Sequence, residues 1–397
     1  MLLSKRVSAM QFSPIRKLNK FGFKAIEDGK KLYWLNIGQP DLETPECFME
    51  AIRNYNNKVL EYEQSGGYTG LLDAIIGYFN HYGVEFTRDQ IIPVNGASEG
   101  LNMIFTSILN PGEKVMMAEP FYTNYATFCA AAGGQIVPIQ TKAEDGYFWA
   151  DRARLEAAYR EGIKAICCIN PGNPTGNVLS IDDMRTVGEF AKEHDLWIIA
   201  DEVYREFTFD GKTPVTFGQL PEYADRVIIV ESVSKRYSAC GARVGAVLSK
   251  NPEIMEAMLK LAQARLCSPT LEQVGAAELY KMDAAYYEEV KCIYEARRDA
   301  AYEEISKIPG VVCQKPGGSF YLMAKLPVDD AEKFLMFMLT EFEDNGETVN
   351  FSPAEGFYST PGAGRDEIRI AYVLSPEKMR RAAELIRLGL ESYKARA

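Results

Sequence analysis

Histidine is nearly absent from this 397-residue sequence, which contains only two, at positions 81 and 194. Neither a histidine-based catalytic triad nor a histidine-rich metal site is therefore expected, and no metal site is predicted. The eight cysteines are scattered without a CxxC pair, so buried free thiols are expected rather than disulfides or a zinc site. Long apolar runs are also lacking, since none approaches the ~20 residues of a membrane span.

Positive charge is in deficit, because 44 lysines and arginines face 55 acidic residues and the net charge is -11. This balance argues against nucleic acid and anionic membranes as partners. The first residues, Met1 to Arg6, are not followed by an apolar signal segment, so a cytoplasmic location is expected. With 47% apolar and 25% charged residues, the composition is that of a globular protein with one to three domains.

Short apolar runs alternate with amphipathic segments through the first two thirds of the chain, which is typical of a mostly parallel α/β sheet. From about residue 251 the pattern changes to long helices and a few short strands. We predict a large domain over residues 46–280 and a small α+β domain built from residues 1–45 and 281–397. The main predicted elements are strands at 163–169, 227–230 and 367–373 and helices at 69–82, 180–194 and 329–345.

The stretch after the strand at 227–230 combines two hydroxyl side chains with a lysine, in the order Ser232, Ser234 and Lys235, and Arg243 follows. Hydroxyl donors and a guanidinium suit a phosphate dianion. A lysine beside such a phosphate can form a Schiff base with an aldehyde, which is the chemistry of pyridoxal phosphate.

Two other interpretations of this stretch remain open at the level of the motif alone. A strand followed by a solvated polar turn would look the same. Ser232 and Lys235 also match the Ser-x-x-Lys motif of penicillin-binding proteins and class A β-lactamases, but the Ser-Asp-Asn and Lys-Thr-Gly tripeptides of those hydrolases are missing.

Further polar motifs follow predicted strands elsewhere in the chain. An Asn-Pro-Thr-Gly loop begins at Asn173, after the strand that ends at Ile169, and Asp201 ends another apolar run. Open α/β sheets bind ligands at the carboxyl ends of their strands. A glycine turn at Gly96 leads into a helix, where free backbone N–H groups can hold a phosphate.

Taken together with Arg369 in the late strand, these motifs closely resemble those of the class I/II aminotransferases, which are fold-type-I pyridoxal phosphate enzymes. The resemblance runs from about Gly38 to Arg369. It implies an aspartate-aminotransferase-like fold, with a mostly parallel sheet flanked by helices and a smaller α+β domain. It also implies ping-pong transamination with pyridoxal 5'-phosphate as cofactor, in a homodimer with shared active sites.

The resemblance assigns a role to each motif residue. Lys235 would carry the cofactor and shuttle the substrate's α-proton, and Asp201 would pair with the pyridine nitrogen. The other implied cofactor contacts are Asn173 and Tyr204 to the phenolic oxygen, Tyr122 stacked on the ring, and Ala97, Ser98, Ser232, Ser234, Arg243 and the partner subunit's Tyr62 around the phosphate. The implied contacts of the substrate α-carboxylate are Arg369, Asn173 and the backbone of Gly38.

The substrate is expected to be aspartate first and an aromatic amino acid next, with 2-oxoglutarate as acceptor. Arg265, ahead of a Ser-Pro step, is a candidate for binding a distal carboxylate, although it lies two positions later than the corresponding arginine of aspartate aminotransferases. One rival is a carbon–sulfur β-lyase on the same fold, which would share the cofactor residues. The other is a regulator that fuses this fold to a DNA-binding domain, for which about 40 residues before Gly38 leave no room.

Overall fold

The computed structural model describes residues 3–10 and 12–396. Its helices are α1 (Lys5–Ala9), α2 (Asn19–Glu27), α3 (Glu46–Arg53), α4 (Thr69–Asn80), α5 (Ala97–Ile108), α6 (Asn124–Ala131), α7 (Arg152–Ala158), α8 (Ile181–Glu193), α9 (Val233–Arg236), α10 (Pro252–Arg265), α11 (Thr270–Leu279), α12 (Ala284–Ile305), α13 (Ala331–Thr340) and α14 (Pro376–Lys394). Its strands are β1 (Lys31–Trp34), β2 (Ile91–Val94), β3 (Lys114–Glu119), β4 (Gln135–Gln140), β5 (Ile163–Ile169), β6 (Trp197–Asp201), β7 (Val227–Ser232), β8 (Gly245–Leu248), β9 (Tyr321–Lys325), β10 (Glu347–Asn350), β11 (Ser352–Pro353) and β12 (Glu367–Ala371).

Seven strands form the central sheet, in the order β2-β8-β7-β6-β5-β3-β4. The pairs from β7 to β4 are parallel, whereas β8 runs antiparallel to both β2 and β7. All six residues of β7 are buried, as expected for a strand covered by helices on both faces. This mixed but mostly parallel sheet confirms the predicted fold class.

Alternate side chains of the central strands pack into two separate hydrophobic cores, one on each face of the sheet. On one face, Ile198 and Ile229 pack with residues of α4, α8 and α11. On the other face, Ile199 and Ile228 pack with residues of α5 and α10. The period of two along each strand therefore sends neighbouring residues into opposite layers, and helices cover the sheet on both sides.

Two small sheets lie apart from the central one and connect the two ends of the chain. Strand β1 pairs with β10 in parallel, and β12 pairs with β11 and β9 in antiparallel fashion. They share a hydrophobic core with α13 and α14, which includes Tyr33, Leu322 and Ile368. The N-terminal arm thus packs with the C-terminal third, as the predicted small domain requires, while the domain boundaries themselves stay a prediction.

Local capping explains several of the observed element ends. Helix α8 starts where Ser180 and Asp183 form a reciprocal capping box, and α14 starts with Ser375 as cap and Pro376 in its first turn. The predicted helix at 329–345 is shorter in the structure, where α13 spans Ala331–Thr340. Asn345 adopts a positive φ of 54° in the turn before β10, a backbone conformation that an α-helix does not contain. Strand β10 itself was not predicted from the sequence.

Within the described ranges, no helix combines the length and the apolar character needed to cross a membrane.

Candidate active site

Three neighbouring parallel strands bring the main sequence motifs to one edge of the central sheet. Strand β5 ends at Ile169, β6 at Asp201 and β7 at Ser232, and these strands are adjacent in the sheet. Because parallel strands end on the same side, the Asn173 loop, Asp201 and Ser232 lie close together. They line a cavity of about 460 Å³ that also contains Lys235.

Lys235 lies in α9, the short helix that directly follows β7. Its Nζ donates a hydrogen bond to the backbone oxygen of Gly38 at 3.0 Å and lies 5.7 Å from the centre of the Phe320 ring. The lysine is only half-buried and no carboxylate within the described residues forms an ion pair with it. The amine is therefore directed into the cavity without a fixed anionic partner.

Asp201 is buried at the floor of the same cavity. Its Oδ1 accepts a hydrogen bond from the backbone N–H of Val203 at 3.2 Å, and its Oδ2 accepts one from the hydroxyl of Tyr125. Burial raises the pKa of Asp201 to about 6, and the two hydrogen bonds oppose that rise. A carboxylate held in this way is well placed to pair with a cation that enters the cavity.

A cluster of hydroxyl and guanidinium groups lies next to Lys235. The Oγ atoms of Ser232 and Ser234 are 2.8 Å apart, and Ser98 lies in the first turn of α5. Arg243 donates to the backbone oxygen of Asn95 at 3.2 Å. These groups, together with the free N–H groups at the start of α5, form a site with the donors that a phosphate requires.

Gly96, which precedes α5 with a φ of 74°, keeps this site open. A Cβ atom at Gly96 would come within 2.2 Å of Arg243 Nη2, so any other residue would collide with the guanidinium. The left-handed backbone conformation independently favours glycine.

Arg369 is buried on β12 beneath the opposite wall of the cavity. Its Nη1 donates to Asn173 Oδ1 at 3.0 Å and its Nη2 to the backbone oxygen of Asn36 at 2.7 Å. Within the described residues, no carboxylate pairs with this guanidinium, and the ring of Tyr321 lies 4.3 Å away. Burial lowers the pKa of Arg369. A buried cation that has only neutral acceptors around it is suited to bind a carboxylate ligand.

The aromatic residues predicted for the site, Tyr122 and Tyr204, also line the cavity. Tyr122 is half-buried and its hydroxyl accepts a hydrogen bond from Asn124 at 2.8 Å. Tyr204 is buried, and its hydroxyl lies 3.2 Å from that of Tyr321. Gly38 makes room for the Tyr321 ring, because a Cβ atom at position 38 would overlap the Tyr321 hydroxyl.

Two predicted residues lie outside this cavity. Tyr62 is 80% exposed in the loop between α3 and α4. Arg265, the last residue of α10, has a side chain that is only 15% exposed and lies 3.6 Å from Glu99. It also donates to the backbone oxygen of Pro93 at 3.2 Å, so its guanidinium is occupied within its own chain.

Sequence reasoning missed three residues that belong to the site geometry: Tyr125, Tyr321 and Asn36. Tyr125 and Tyr321 are two of 22 tyrosines, and nothing in the local sequence separates them from ordinary core aromatics. Asn36 directly precedes the loop at Gly38, and this position beside a Gly- and Pro-rich turn was the one feature of the sequence that could have indicated a site residue. Arg16 and Ser13 in the N-terminal arm also line the cavity and carried no signal at all.

Comparison with known proteins agrees with this geometry. The family described as "Aminotransferase class I and II" matches residues 30–386, so the chain belongs to this family of pyridoxal phosphate-dependent enzymes and is a transaminase.

Individual relatives carry different substrate names. The aspartate aminotransferase of Bacillus subtilis (strain 168) is 30% identical over 404 residues, which cover 99% of this chain and 100% of that protein. Among solved structures, an alanine aminotransferase from Pyrococcus furiosus has a TM-score of 0.90 at 27% identity, covering 98% of this chain and 100% of that one. An aspartate aminotransferase from Thermus thermophilus with maleate has a TM-score of 0.88 at 26% identity, with the same coverage. The fold-type-I prediction is thereby confirmed.

Proposed function

We propose that this protein transfers the amino group of an L-amino acid to a 2-oxo acid in a ping-pong cycle. Aspartate is the preferred donor, aromatic amino acids come next, and 2-oxoglutarate is the acceptor. The observation that carries the proposal is the convergence of Lys235 Nζ, the Asp201 carboxylate and the Arg369 guanidinium on one cavity. In that arrangement the amine can transfer a proton, the anion can pair with a pyridine nitrogen, and the cation can bind a substrate carboxylate.

The described residues fit pyridoxal 5'-phosphate. The hydroxyls of Ser232 and Ser234, together with Arg243, form a donor cluster next to Gly96, where a side chain would fill the space. Ser98 and the backbone of Ala97, at the start of α5, complete the proposed phosphate site. Asp201 is a buried carboxylate that has no cationic hydrogen-bond partner among the described residues, which suits a protonated pyridine nitrogen.

Bound pyridoxal phosphate supplies the electron sink that allows the α-proton of an amino acid to be removed. Lys235 Nζ is the base that would take this proton from the substrate α-carbon and deliver it to the cofactor carbon that bears the amine. In the second half of the cycle it would move a proton in the opposite direction, to the α-carbon of the 2-oxo acid. Asp201 keeps the proton on the pyridine nitrogen through its negative charge. Asn173 and Tyr204 would hold the phenolic oxygen of the cofactor, and Tyr122 would pack against its ring.

The substrate α-carboxylate is bound by Arg369 in a bidentate manner. Asn173 and Asn36 already accept hydrogen bonds from its two terminal nitrogens, so the guanidinium plane is held before the substrate arrives. Pre-orientation of this kind reduces the entropy that binding would otherwise cost. The amide of Asn173 and the backbone of Gly38 are the remaining proposed contacts.

The proposed assembly is a homodimer in which Tyr62 reaches the phosphate of the neighbouring site. Its support is the exposure of Tyr62 together with Val59 and Leu60, which lie on the same loop and are 64% and 60% exposed. Apolar side chains grouped on one loop are expected to be covered by a partner. A cytoplasmic location remains a prediction from the sequence.

The test is a product assay on the purified holoenzyme with aspartate, tyrosine and cysteine as donors. Transamination consumes a 2-oxo acid and yields one 2-oxo product for each amino acid formed. Release of pyruvate and ammonia without any acceptor would instead show the carbon–sulfur β-lyase. Lys235→Ala serves as the matched control and is expected to give neither reaction.

A further inference from the structure

A buried carboxylate that the proposed function does not use lies three residues before Tyr122. Glu119 is the last residue of β3 and is only 2% exposed. The proposed function, on which this inference rests, assigns it no contact with the cofactor or the substrate. Because a buried carboxylate without partners is costly, the groups that bind Glu119 indicate what it does.

The Glu119 carboxylate accepts hydrogen bonds from two consecutive residues, Ser359 and Thr360, which lie 240 and 241 positions later in the chain. Its Oε2 accepts from the backbone N–H and the hydroxyl of Ser359 at 3.0 and 3.2 Å and from the backbone N–H of Thr360 at 3.1 Å. Its Oε1 accepts from the hydroxyl of Thr360 at 2.5 Å. A carboxylate with this many donors fixes the segment that carries them, and we name this contact the Glu119 clamp.

A backbone hydrogen bond lies beside the Glu119 clamp. The N–H of Phe121 donates to the backbone oxygen of Phe357 at 2.9 Å. The segments 119–122 and 357–360 are therefore joined at two points. The first segment continues a strand of the central sheet, whereas the second lies between β11 and β12 of a small sheet. The clamp thus connects two separate layers of the molecule.

Each joined segment contacts a side chain that the proposed function uses. The first segment ends at Tyr122, which lines the cavity and is proposed to pack against the cofactor ring. The second contains Phe357, whose buried ring lies 4.9 Å from the guanidinium carbon of Arg369. The clamp therefore links the wall formed by Tyr122 to the arginine proposed to bind the α-carboxylate.

We propose that Glu119 is a positioning residue that holds Tyr122 and Arg369 at a fixed separation. A substrate bound by its α-carboxylate is then presented to Lys235 in one orientation. Such orientation matters to the rate, since a misplacement of about 1 Å caused by a remote change can cost about 100-fold. Glu119 thus contributes to turnover without touching the substrate or the cofactor.

The test compares Glu119→Gln, Thr360→Val and Thr360→Ser with Thr141→Val as holoenzymes. Glu119→Gln should lower kcat/KM by about 10- to 100-fold, equally for aspartate and alanine, because the clamp acts on the α-carboxylate end that both share. Thr360→Val, which removes one donor, should cause a smaller loss, and Thr360→Ser should restore most of it because the hydroxyl is kept. The matched control is Thr141→Val. It removes a hydroxyl that donates to the backbone oxygen of Glu119 at 2.6 Å and leaves the carboxylate untouched, so it should match the wild type.

Two measurements that need no turnover distinguish positioning from a purely structural role. Amide hydrogen exchange of the cofactor-free protein should become faster in both segments, 119–122 and 357–360, in Glu119→Gln and in Thr360→Val. The circular dichroism of bound pyridoxal phosphate should change in its visible absorption band, because the wall against its ring has moved. The double variant Glu119→Gln/Thr360→Val should be no worse than Glu119→Gln alone, since the two residues act through one contact.

Several outcomes would overturn the positioning role. Lower stability of Glu119→Gln with wild-type kcat/KM and unchanged dichroism would leave Glu119 a structural residue only. A loss in Thr141→Val equal to that in Thr360→Val, or no recovery in Thr360→Ser, would overturn the role as well. If Glu119→Gln does not fold, the two Thr360 variants and Thr141→Val make the same comparison. Faster exchange in both segments of the variants, with a wild type that transaminates no amino acid, would refute the proposed function alone.

Discussion

Replacement of Asp201 by asparagine is expected to stabilise the cofactor-free protein at neutral pH, although the carboxylate is proposed to be needed for the reaction. Burial raises the pKa of Asp201 from 3.8 to about 6. At about 1.36 kcal/mol for each pKa unit, ionising this carboxyl costs the folded chain about 3 kcal/mol more than the unfolded chain. The asparagine side chain carries no such cost, and its amide can still accept from the Val203 N–H and donate to the Tyr125 hydroxyl.

The pH dependence gives this effect its signature. The folded state binds the Asp201 proton more tightly than the unfolded state, so wild-type stability falls as pH rises from about 4 to about 7 and this contribution is constant above that range. Asp201→Asn should therefore gain about 1.5 kcal/mol in the free energy of unfolding at pH 5 and about 3 kcal/mol at pH 8.

The assay is urea unfolding of cofactor-free wild type and Asp201→Asn at pH 5 and at pH 8, followed by fluorescence. In the holoenzyme the same variant should bind pyridoxal phosphate less tightly, because the pyridinium loses its counter-charge, and should exchange the substrate α-deuterium more slowly. A gain in stability that does not grow between pH 5 and pH 8, or a loss at both, would refute the electrostatic account. An unchanged rate of deuterium exchange would refute the proposed role in the reaction.

Three further outcomes are expected. Lys235→Ala should still bind the cofactor but lose the borohydride-reducible link and nearly all turnover; mass spectrometry of the reduced wild type would contradict the assignment if it found the cofactor on another lysine. Arg369→Lys should lower kcat/KM for aspartate and alanine equally, by about 2 to 3 kcal/mol, since a lysine cannot contact Asn173, Asn36 and a carboxylate in the same fork; steady-state kinetics that show a loss for aspartate alone would count against an α-carboxylate role. Sedimentation should find at least a dimer, and a fully active monomer would remove the proposed contact of Tyr62 with the neighbouring site.

The parts of the site that sequence reasoning found are those that sit next to a strand end. Asp201 ends β6, Asn173 follows β5, and Ser232 ends β7 with Lys235 three residues later. An apolar run followed by polar residues was therefore enough to locate them in the sequence. The parallel sheet then brings the strand ends together without further information. Local sequence therefore located residues that line one side of the cavity, while their roles stay a prediction.

The resemblance named Arg369 and Gly38 on the opposite side of the cavity. The contacts that hold the site residues in position could not be predicted, because they join parts of the chain that are far apart in sequence. Tyr125 donates to Asp201 from 76 residues away, and Asn36 reaches Arg369 across 333 residues. No periodicity or spacing encodes such pairs, since they follow from how two layers pack. The four-residue strand β1 was missed for the same reason: its partner is β10, and its own sequence is too short to stand out.

The pairing of β1 with β10 sets the order in which a newly synthesised chain can complete its structure. Lys31 leaves the ribosome 316 residues before Glu347, the residue it faces across the two strands. The seven strands from Ile91 to Leu248 have all emerged well before that point and can pair with one another. Contacts so distant in sequence form late, and until then β1 has an unpaired edge that is exposed to other nascent chains. The growing polypeptide is therefore expected to assemble the side proposed to bind a phosphate first. The side proposed to hold an amino acid would follow only after β10 and β12 have been made.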